Sequence, residues 1–330
     1  MNEKGLQILE QYDIRLQRSF GGRGSLILET EQGLKLLKEF AGSQTKLPFE
    51  QELLKRLEER GVCNVDRIVK NREGALVSVG DYETPYILKN WPSGRECDPR
   101  NEEDLQKSMK TLARIHREAR GVFEAKETER QRLCGADRCT ELEKHNRELK
   151  RTQNFIRGRH KKGNFELLFL KCAEQILKDG REALERLGEI GCMELYEAAC
   201  EGEYVCHGEY IHHNILISRQ ETAVVNFQRF EINVQVNDIC LFLRKVMEKQ
   251  NWNEAVAGRM LEAYERELPL SRKEQLYLAA SLYYPEKVWK LIHHYYNTNK
   301  AWIPEKNAEK LEIFLAQDAK RKRMIKSVFF

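Results

Sequence analysis

The stretch that decides the fold runs from Val205 to Asn214, VCHGEYIHHN, and is completed by Val225–Gln228, VNFQ. Two short runs of β-type residues, 214–218 and 222–227, lie here inside a region whose pattern is otherwise helical. They predict a β-hairpin that carries polar residues at its ends. The order His-Gly-acid, four residues, Asn places a carboxylate and an amide at the two ends of one loop.

These polar residues are of the types that phosphoryl transfer uses. That chemistry needs a cation near the phosphates, one or two Mg²⁺ ions and a carboxylate that orients the acceptor hydroxyl. Glu209 would face the acceptor and Asn214 a metal ion, while Asn226 stands after the next strand, where a second metal ligand is needed. We interpret His207 mainly as a structural residue that holds the acid, with general base as the less favoured role.

In the rest of the chain, the predicted secondary structure changes near residue 90 from strands to helices. Before it, short strand patterns alternate with turns, and Phe49–Arg60 has the apolar spacing of a helix closed by Gly61. Trp91–Gly94 breaks the pattern and predicts a hinge, after which helical spacing dominates. Within 18–30 a glycine cluster is followed by an apolar run with a strand pattern, and further strands are predicted at 34–40, 65–69, 75–79 and 86–88.

The composition favours a globular protein. The chain has 330 residues, of which 41% are apolar and 33% charged, with a net charge of +4. This apolar content excludes wholesale disorder, and the near-balanced charge gives no indication of a nucleic acid partner. Apolar runs are too short for a transmembrane segment of about 18 residues or more, and the N-terminal stretch lacks the apolar run of a signal peptide.

Two further features of the sequence bear on the cellular compartment and on the surface of the protein. The chain has nine cysteines at irregular spacing, an odd number that favours a reduced, cytoplasmic setting over a disulfide framework. Residues 147–162 carry seven Lys or Arg side chains. We interpret this stretch as a solvated helix face, with a basic patch for an anionic partner as the alternative.

The segments HGEYIHHNILI at 207–217 and VVNFQRFEINVQVNDIC at 224–240 resemble the aminoglycoside phosphotransferase-like kinases of the protein-kinase-like superfamily. Within them the chain is most similar to the CotS-type spore coat family. TLARIHREARG at 111–121 resembles the LAxxH helix of these kinases. YPEKVW at 284–289, with Tyr295–Asn297 after it, resembles a C-terminal signature of the CotS group.

The resemblance implies an α+β, protein-kinase-like, two-lobed fold. Residues 1–90 would form an N-lobe, a small antiparallel nucleotide-binding-like sheet with one helix. Residues 91–330 would form a larger, mainly helical C-lobe with the catalytic-loop hairpin at 205–230. Asp238 matches a helix aspartate that braces this loop.

The resemblance also assigns residues to the nucleotide. Lys38 matches the strand lysine that contacts phosphates, with Lys35 as the alternate choice. Glu50 matches the helix acid that pairs with this lysine, with Glu52 as the second choice. An acid is expected on a charged amphipathic helix in any case. The loop that covers the phosphates would be formed by Gly21, Gly22 and Gly24.

Two departures from the kinase pattern matter most. Glu209 and Asn226 both stand where an active kinase of this type carries Asp. The longer Glu209 side chain shifts its carboxylate by about 1 Å, and a misplacement of that size can cost ~10²-fold in rate. Asn226 removes a negative charge from a position that must hold Mg²⁺, which prefers anionic oxygen ligands. Asn214 and Asn226 thus stand at the metal positions; Gln228 is neutral too, and Glu231, the next acid, would need an excursion of the chain to reach the site.

The resemblance implies a spore coat-associated kinase-like protein, and the two departures predict a degenerate kinase with a structural or assembly role. The alternative is an active, Mg-ATP-dependent small-molecule phosphotransferase of the aminoglycoside or choline kinase type. A protein kinase is less favoured because the HRD and DFG patterns are missing. The implied cofactors are ATP and Mg²⁺, for which we expect weak or absent binding. The implied partners are other spore coat proteins and a nucleotide, and the implied location is the mother-cell cytoplasm followed by the spore coat.

Overall fold

The computed structural model describes residues 3–22, 24–80, 83–123, 126–219, 221–297 and 304–330. Contacts between residues divide the chain into two compact units. The first contains the residues up to Leu133 together with Gly202–Ile232, and the second contains Cys134–Glu201 together with the residues from Asn233 onward. The hairpin that the sequence singled out therefore belongs to the same unit as the N-terminal strands.

An antiparallel sheet forms the N-terminal part of the first unit. Its order is β1-β2-β3-β6-β5, and β3 pairs with β6 so that Leu36 faces Lys89 and Lys38 faces Ile87. Because side chains alternate along a strand, these four residues lie on one face of the sheet. The strands up to residue 96 are β1 (Leu16–Gly21), β2 (Leu26–Thr30), β3 (Gly33–Glu39), β4 (Asn64–Val65), β5 (Ser78–Val79), β6 (Pro85–Asn90) and β7 (Arg95–Glu96).

A helix crosses from this sheet toward the hairpin. Helix α1 spans Leu47–Glu59 and confirms the prediction for 49–60, beginning two residues earlier with Pro48 in its first turn. Gly61 follows its end at φ +61°, the left-handed conformation that glycine adopts most easily. The buried face of α1 holds leucines and also Glu50. The other helices of the unit include α2 (Glu102–Glu118), α3 (Glu127–Leu133) and the 3₁₀ helices Glu3–Gln11, Gln44–Lys46, His212–Asn214 and Phe227–Arg229.

The predicted hairpin is present and belongs to a second, four-stranded sheet. Its strands are β9 (Ile215–Ile217) and β10 (Thr222–Val224), and the order is β4-β10-β9-β7. The pairing of β10 with β4 is parallel, in register Val224 to Val65. The next residues along these two strands, Asp66 and Val225, are consequently brought together. A small antiparallel ladder pairs β8 (Val205–Cys206) with β11 (Glu231–Ile232), the strands that precede and follow the loop and the hairpin in sequence.

The second unit is built from helices. One of its apolar cores includes Leu149, Phe169, Val288 and Leu311, one from each of four helices, α4, α5, α10 and α11. The helices are α4 (Arg138–Gly158), α5 (Asn164–Ile190), α6 (Cys192–Glu201), α7 (Val236–Met247), α8 (Glu254–Glu265), α9 (Arg272–Tyr283), α10 (Glu286–Asn297) and α11 (Pro304–Phe329). Within the described ranges, no helix has the length and apolar content to span a membrane.

The segment YPEKVW at 284–289 leads into the first turn of α10 and contacts α4. Glu286 pairs with Arg138 at 3.1 Å. The Trp289 ring stacks on His145 with centroids 3.4 Å apart, and its indole N–H donates to Glu148 at 2.8 Å. The C-terminal signature is therefore a packing element of the helical unit, as helical spacing of its aromatic residues indicates.

Candidate functional site

Asn226 occupies a special backbone position at the end of the hairpin. It has φ +67° and ψ +47°, the left-handed region that Asn tolerates better than most residues. Its backbone N–H donates to Asp66 Oδ2 at 2.9 Å. The parallel pairing of β4 with β10 thus fixes the direction in which the Asn226 side chain leaves the chain.

The two candidate metal ligands bond to each other. Asn226 Nδ2 donates to Asn214 Oδ1 at 2.9 Å, and Asn214 Nδ2 donates to the carbonyl of Glu209 at 2.9 Å. Lys38 Nζ donates to Asn226 Oδ1 at 3.2 Å. Both amide oxygens that could face a metal ion therefore already accept a hydrogen bond.

His207 braces the loop between strand β8 and Asn214. Its buried ring contacts the Val225 carbonyl through Nε2 at 3.0 Å and accepts the backbone N–H of Glu209 at Nδ1, 3.1 Å. An Nδ1 that accepts requires the tautomer in which Nε2 carries the proton. Both ring nitrogens of His207 are engaged by the backbone, an arrangement that holds the loop, and its catalytic assignment stays a prediction.

Gly208 makes the loop conformation attainable. It has φ +76°, and a Cβ built on it would lie 2.0 Å from the carbonyl oxygen of Arg229. Any side chain here would collide with backbone, so the close approach of 208 to 229 requires glycine.

Glu209 is the acid that this loop presents. Its side chain is 41% exposed, and its Oε2 lies 3.6 Å from Nε of Arg229, which is itself 73% exposed. An ion pair this open to water contributes little to stability. The Glu209 carboxylate is therefore held loosely and remains accessible.

The expected ion pair between Lys38 and Glu50 is not the one that forms. Glu50 Oε1 instead accepts from Lys89 Nζ at 2.8 Å, and Asp66 Oδ2 accepts from the same ammonium at 3.0 Å. Lys89 lies on the same sheet face as Lys38, and its side chain is fully buried. Burial opposes its charge, but the two carboxylates outweigh that effect and raise the pKa of Lys89.

Sequence reasoning missed both Lys89 and Asp66. The signal was a lysine directly after the apolar run YIL at 86–88, since a buried strand seldom carries a charge without a partner. Asp66 Oδ2 receives two hydrogen bonds, from Lys89 and from Asn226, while its buried Oδ1 accepts none from the described residues.

Lys38 and its alternate Lys35 have separate environments. Lys35 Nζ bonds the Gln32 carbonyl and Asn90 Oδ1 at 3.2 and 2.7 Å. Three positions further along β3, Lys38 points to the opposite face and reaches the hairpin. Burial lowers the pKa of Lys38 to about 8, and the nearby charge of Lys89 acts in the same direction.

The glycines of the predicted phosphate-covering loop lie at the turn between β1 and β2. Gly22 N–H donates to the Ser25 carbonyl at 2.8 Å, and Gly24 has φ +68°. Gly21, Gly22 and Gly24 are exposed. The role of this turn as a phosphate-covering loop stays a prediction. Asp238 is buried in the first turn of α7, and its bracing role also stays a prediction.

The donor set does not fit a magnesium ion. Mg²⁺ prefers anionic oxygens in an octahedron with ~2.0–2.1 Å bonds, whereas Asn214 and Asn226 offer neutral amide oxygens that are already bonded. Among the described residues, no cluster of three or more His, Cys, Asp or Glu side chains could hold a metal ion. The Lys38 ammonium moreover lies against the oxygen that would face the dication.

Solved structures similar to this chain define the class of fold. An aminoglycoside phosphotransferase from Alicyclobacillus acidocaldarius superimposes with a TM-score of 0.84 at 19% identity, covering 98% of this chain and 94% of that one. A spectinomycin phosphotransferase, solved with ADP and spectinomycin, gives a TM-score of 0.66 at 11% identity over 98% and 97%. The chain therefore has the expected protein-kinase-like α+β fold, with an antiparallel N-terminal sheet and a mostly helical C-terminal part.

The sequence comparisons define the family. A family model described as "Spore coat putative kinase YutH" matches residues 6–328, so the chain belongs to that family. Spore coat protein S of Bacillus subtilis (strain 168) is 24% identical over 295 residues, covering 89% of this chain and 83% of that protein. The resemblance that the hairpin and the C-terminal signature indicated is confirmed.

Proposed function

We propose that this chain is a spore coat-associated kinase-like protein with a structural or assembly role and little or no phosphotransferase activity. The observation that carries the proposal is the polar triad of Lys38, Asn226 and Asn214, in which both oxygens at the metal positions are neutral amide oxygens that each accept a hydrogen bond. Family membership and the similarity to spore coat protein S support the coat assignment.

The proposal extends to location and partners. The protein would be made in the mother-cell cytoplasm and would then join the spore coat through contacts with other coat proteins. A fluorescent fusion followed through sporulation would test this location. Fluorescence that stays in the mother-cell cytoplasm after coat formation would contradict it.

A phosphotransfer assay tests the catalytic part. Purified wild-type protein is given Mg²⁺-ATP with a panel of aminoglycosides, choline and ethanolamine, and product is measured. We expect background turnover from wild type, because Asn226 removes a metal ligand charge and Glu209 misplaces the acid. Brisk Mg²⁺-dependent turnover of any acceptor would contradict the proposal.

A cellular comparison separates scaffold from catalysis. A strain with the gene deleted is compared with one that carries Asn214→Ala, and coat composition is measured in both. If the role is structural, the deletion alters the coat and the Asn214→Ala strain resembles wild type. Equal defects in the two strains, with the variant protein present at wild-type level, would contradict the structural role.

A second function is favoured by one observation. Glu209 keeps an accessible carboxylate on the loop that holds the catalytic acid of kinases with this fold. An active small-molecule phosphotransferase is therefore the alternative. A double variant, Glu209→Asp with Asn226→Asp, bears on it. A large gain of turnover over wild type would show that activity is limited by the two missing aspartates. High turnover in the wild type itself would support the alternative.

A further inference from the structure

A cavity of about 660 Å³ lies in the first unit. Its walls are helix α2, the turn between β9 and β10, and the segment 61–64 that joins α1 to β4. The described residues that line this cavity are distinct from those of the candidate functional site. Sites for small molecules typically have volumes of about 300–1,000 Å³, so the cavity has the size of a second binding site.

The α2 wall of the cavity carries a row of cations. Lys107, Lys110 and Arg114 all line it, because positions i, i+3 and i+7 lie on one face of a helix. The row extends over about 10 Å, at about 1.5 Å per residue. Lys107 pairs with Glu103 at 2.7 Å, but the two side chains are 46% and 75% exposed, and an ion pair this exposed contributes little. Arg219 adds a fourth positive charge from the hairpin turn.

The acids at the cavity are fewer, and both are already paired. Glu58 Oε2 accepts a hydrogen bond from Arg67 at 3.1 Å, and Glu221 accepts one from the side-chain amide of Asn64. Burial raises the pKa of the Cys63 thiol to about 12, so this thiol adds no negative charge near neutral pH. The described lining thus has four positive and two negative side chains, an excess that attracts an anionic ligand.

The last turn of α1 borders the cavity, and free carbonyl groups at the end of a helix would repel an anion. Here these carbonyl groups accept backbone hydrogen bonds. The N–H of Val62 donates to the Leu57 carbonyl at 3.0 Å, and the N–H of Gly61 donates to the Glu58 carbonyl at 2.9 Å. The left-handed φ of Gly61, +61°, permits this ending. The helix end is therefore closed by the chain itself.

We propose that this cavity binds a small polyanion, a molecule with two or more phosphate or carboxylate groups. The cations of α2 and Arg219 would contact the anionic groups, since ammonium and guanidinium groups form charge-assisted hydrogen bonds with both kinds. Thr111 and Thr222 add hydroxyl donors to the lining. A small molecule is favoured over an acidic protein segment because the cations border one cavity of limited volume. The inference goes beyond the proposed function and does not depend on it.

Calorimetric titration of the full-length protein with tripolyphosphate and with citrate tests the proposal. We expect saturable binding of at least one of the two probes, weaker in about 0.5 M salt because screening reduces the attraction between charges. The two probes distinguish a phosphate ligand from a carboxylate ligand. Binding of neither probe would overturn the proposal. If hexaglutamate alone binds, the cations form a docking surface for protein, and the proposal is likewise overturned.

A pair of double variants locates the binding on α2. Lys110→Met with Arg114→Gln should weaken it by about 10-fold or more, the effect of removing a charged hydrogen bond. Lys178→Met with Arg186→Gln is the matched control, because it removes the same two charges from exposed side chains of α5, and it should bind as wild type does. Equal affinities in the two double variants would contradict the assignment.

Two further variants separate the proposal from other causes. Lys110→Arg with Arg114→Lys preserves both charges and should retain most of the affinity. A loss as large as that of the neutral double variant would contradict the electrostatic role. Lys38→Met should bind the probe as wild type does. Loss of binding in this variant would place the probe at the candidate functional site and would overturn the proposal.

The thiol of Cys63 reports directly on occupancy of the cavity. Cys63 lines the cavity, whereas Cys172 lies on α5 in the helical unit, and burial raises the pKa of both half-buried thiols. A bound polyanion should slow the alkylation of Cys63, measured by mass spectrometry of the digested protein, and leave the rate at Cys172 unchanged. An unchanged rate at Cys63 under saturating probe would show that the probe binds elsewhere.

Discussion

The ammonium of Lys89 lies 2.8 Å from the carboxylate of Glu50, and both side chains are almost completely buried. Asp66 completes the cluster at 3.0 Å from the same ammonium. The three residues come from strand β6, helix α1 and the segment after β4. This cluster links the N-terminal sheet to α1 through buried ion pairs. Because Glu50 and Asp66 pair with Lys89, the hydrogen bond of Lys38 goes to the side-chain amide of Asn226.

The cluster makes Lys89 important for folding. Lys89→Met would leave two buried carboxylates without their cation, and breaking a buried ion pair costs about 3–5 kcal/mol. We expect the free energy of unfolding, measured with urea, to fall by this amount. Lys55→Met is the control, because Lys55 is 59% exposed and its pair with Glu59 contributes ~0.5 kcal/mol or less. Similar small losses in both variants would contradict the role of Lys89.

The loop and the hairpin could be predicted because their signals are local. The run from His207 to Asn214 fixes its own geometry through a left-handed glycine and short-range bonds, and strands β9 and β10 formed where β-type residues predicted them. Helix α1 was likewise predictable from its apolar spacing.

The charge partners could not be predicted in the same way. Asp66 meets Asn226 across 160 positions of sequence, only because β4 pairs in parallel with β10. The partner of Glu50 depends on the register between β3 and β6, which places Lys89 rather than Lys38 nearest to it. The sequence alone does not distinguish Lys38 from Lys89 as partners of Glu50, because both lie on one sheet face. The packing of the folded chain determines that Lys89 forms the pair.

The pair of Glu286 with Arg138 makes the stability of the helical unit depend on pH. Glu286 is buried; burial opposes its charge, but the nearby Arg138 outweighs this and lowers the pKa of Glu286 to about 2. A carboxyl whose pKa is depressed on folding stabilises the protein above its unfolded pKa of ~4.5, and this contribution disappears as the pH falls toward 2. This lowering of the pKa corresponds to a contribution of about 3 kcal/mol to the free energy of unfolding.

Glu286→Gln tests this dependence. Wild type should be more stable than the variant above pH 4.5, and the difference should shrink as the pH falls toward 2, because a protonated Glu resembles Gln. Urea unfolding at several pH values between 2.5 and 7 measures it. A difference that stays constant across this range would show that the charge of Glu286 is not the cause.

Gly208 is expected to be intolerant of any side chain. Gly208→Ala combines a left-handed φ with a contact of 2.0 Å to the Arg229 carbonyl, and strain of this kind costs about 1–3 kcal/mol or more. Thermal unfolding should show the loss. Gly258→Ala is the control: it lies in helix α8 with no atom within 4 Å of the added Cβ, and should stabilise by about 0.5–1 kcal/mol. Stabilisation of both variants would contradict the geometry of the loop.

The aromatic residues of the C-terminal signature are expected to serve packing and not ligand binding. Trp289→Phe keeps an aromatic ring against His145 but removes the N–H that donates to Glu148. We expect a loss of about 1–2 kcal/mol in the free energy of unfolding, since the acceptor is charged and partly buried. Glu148→Gln retains an acceptor and should cost less. A Trp289→Phe variant as stable as wild type would contradict the packing role.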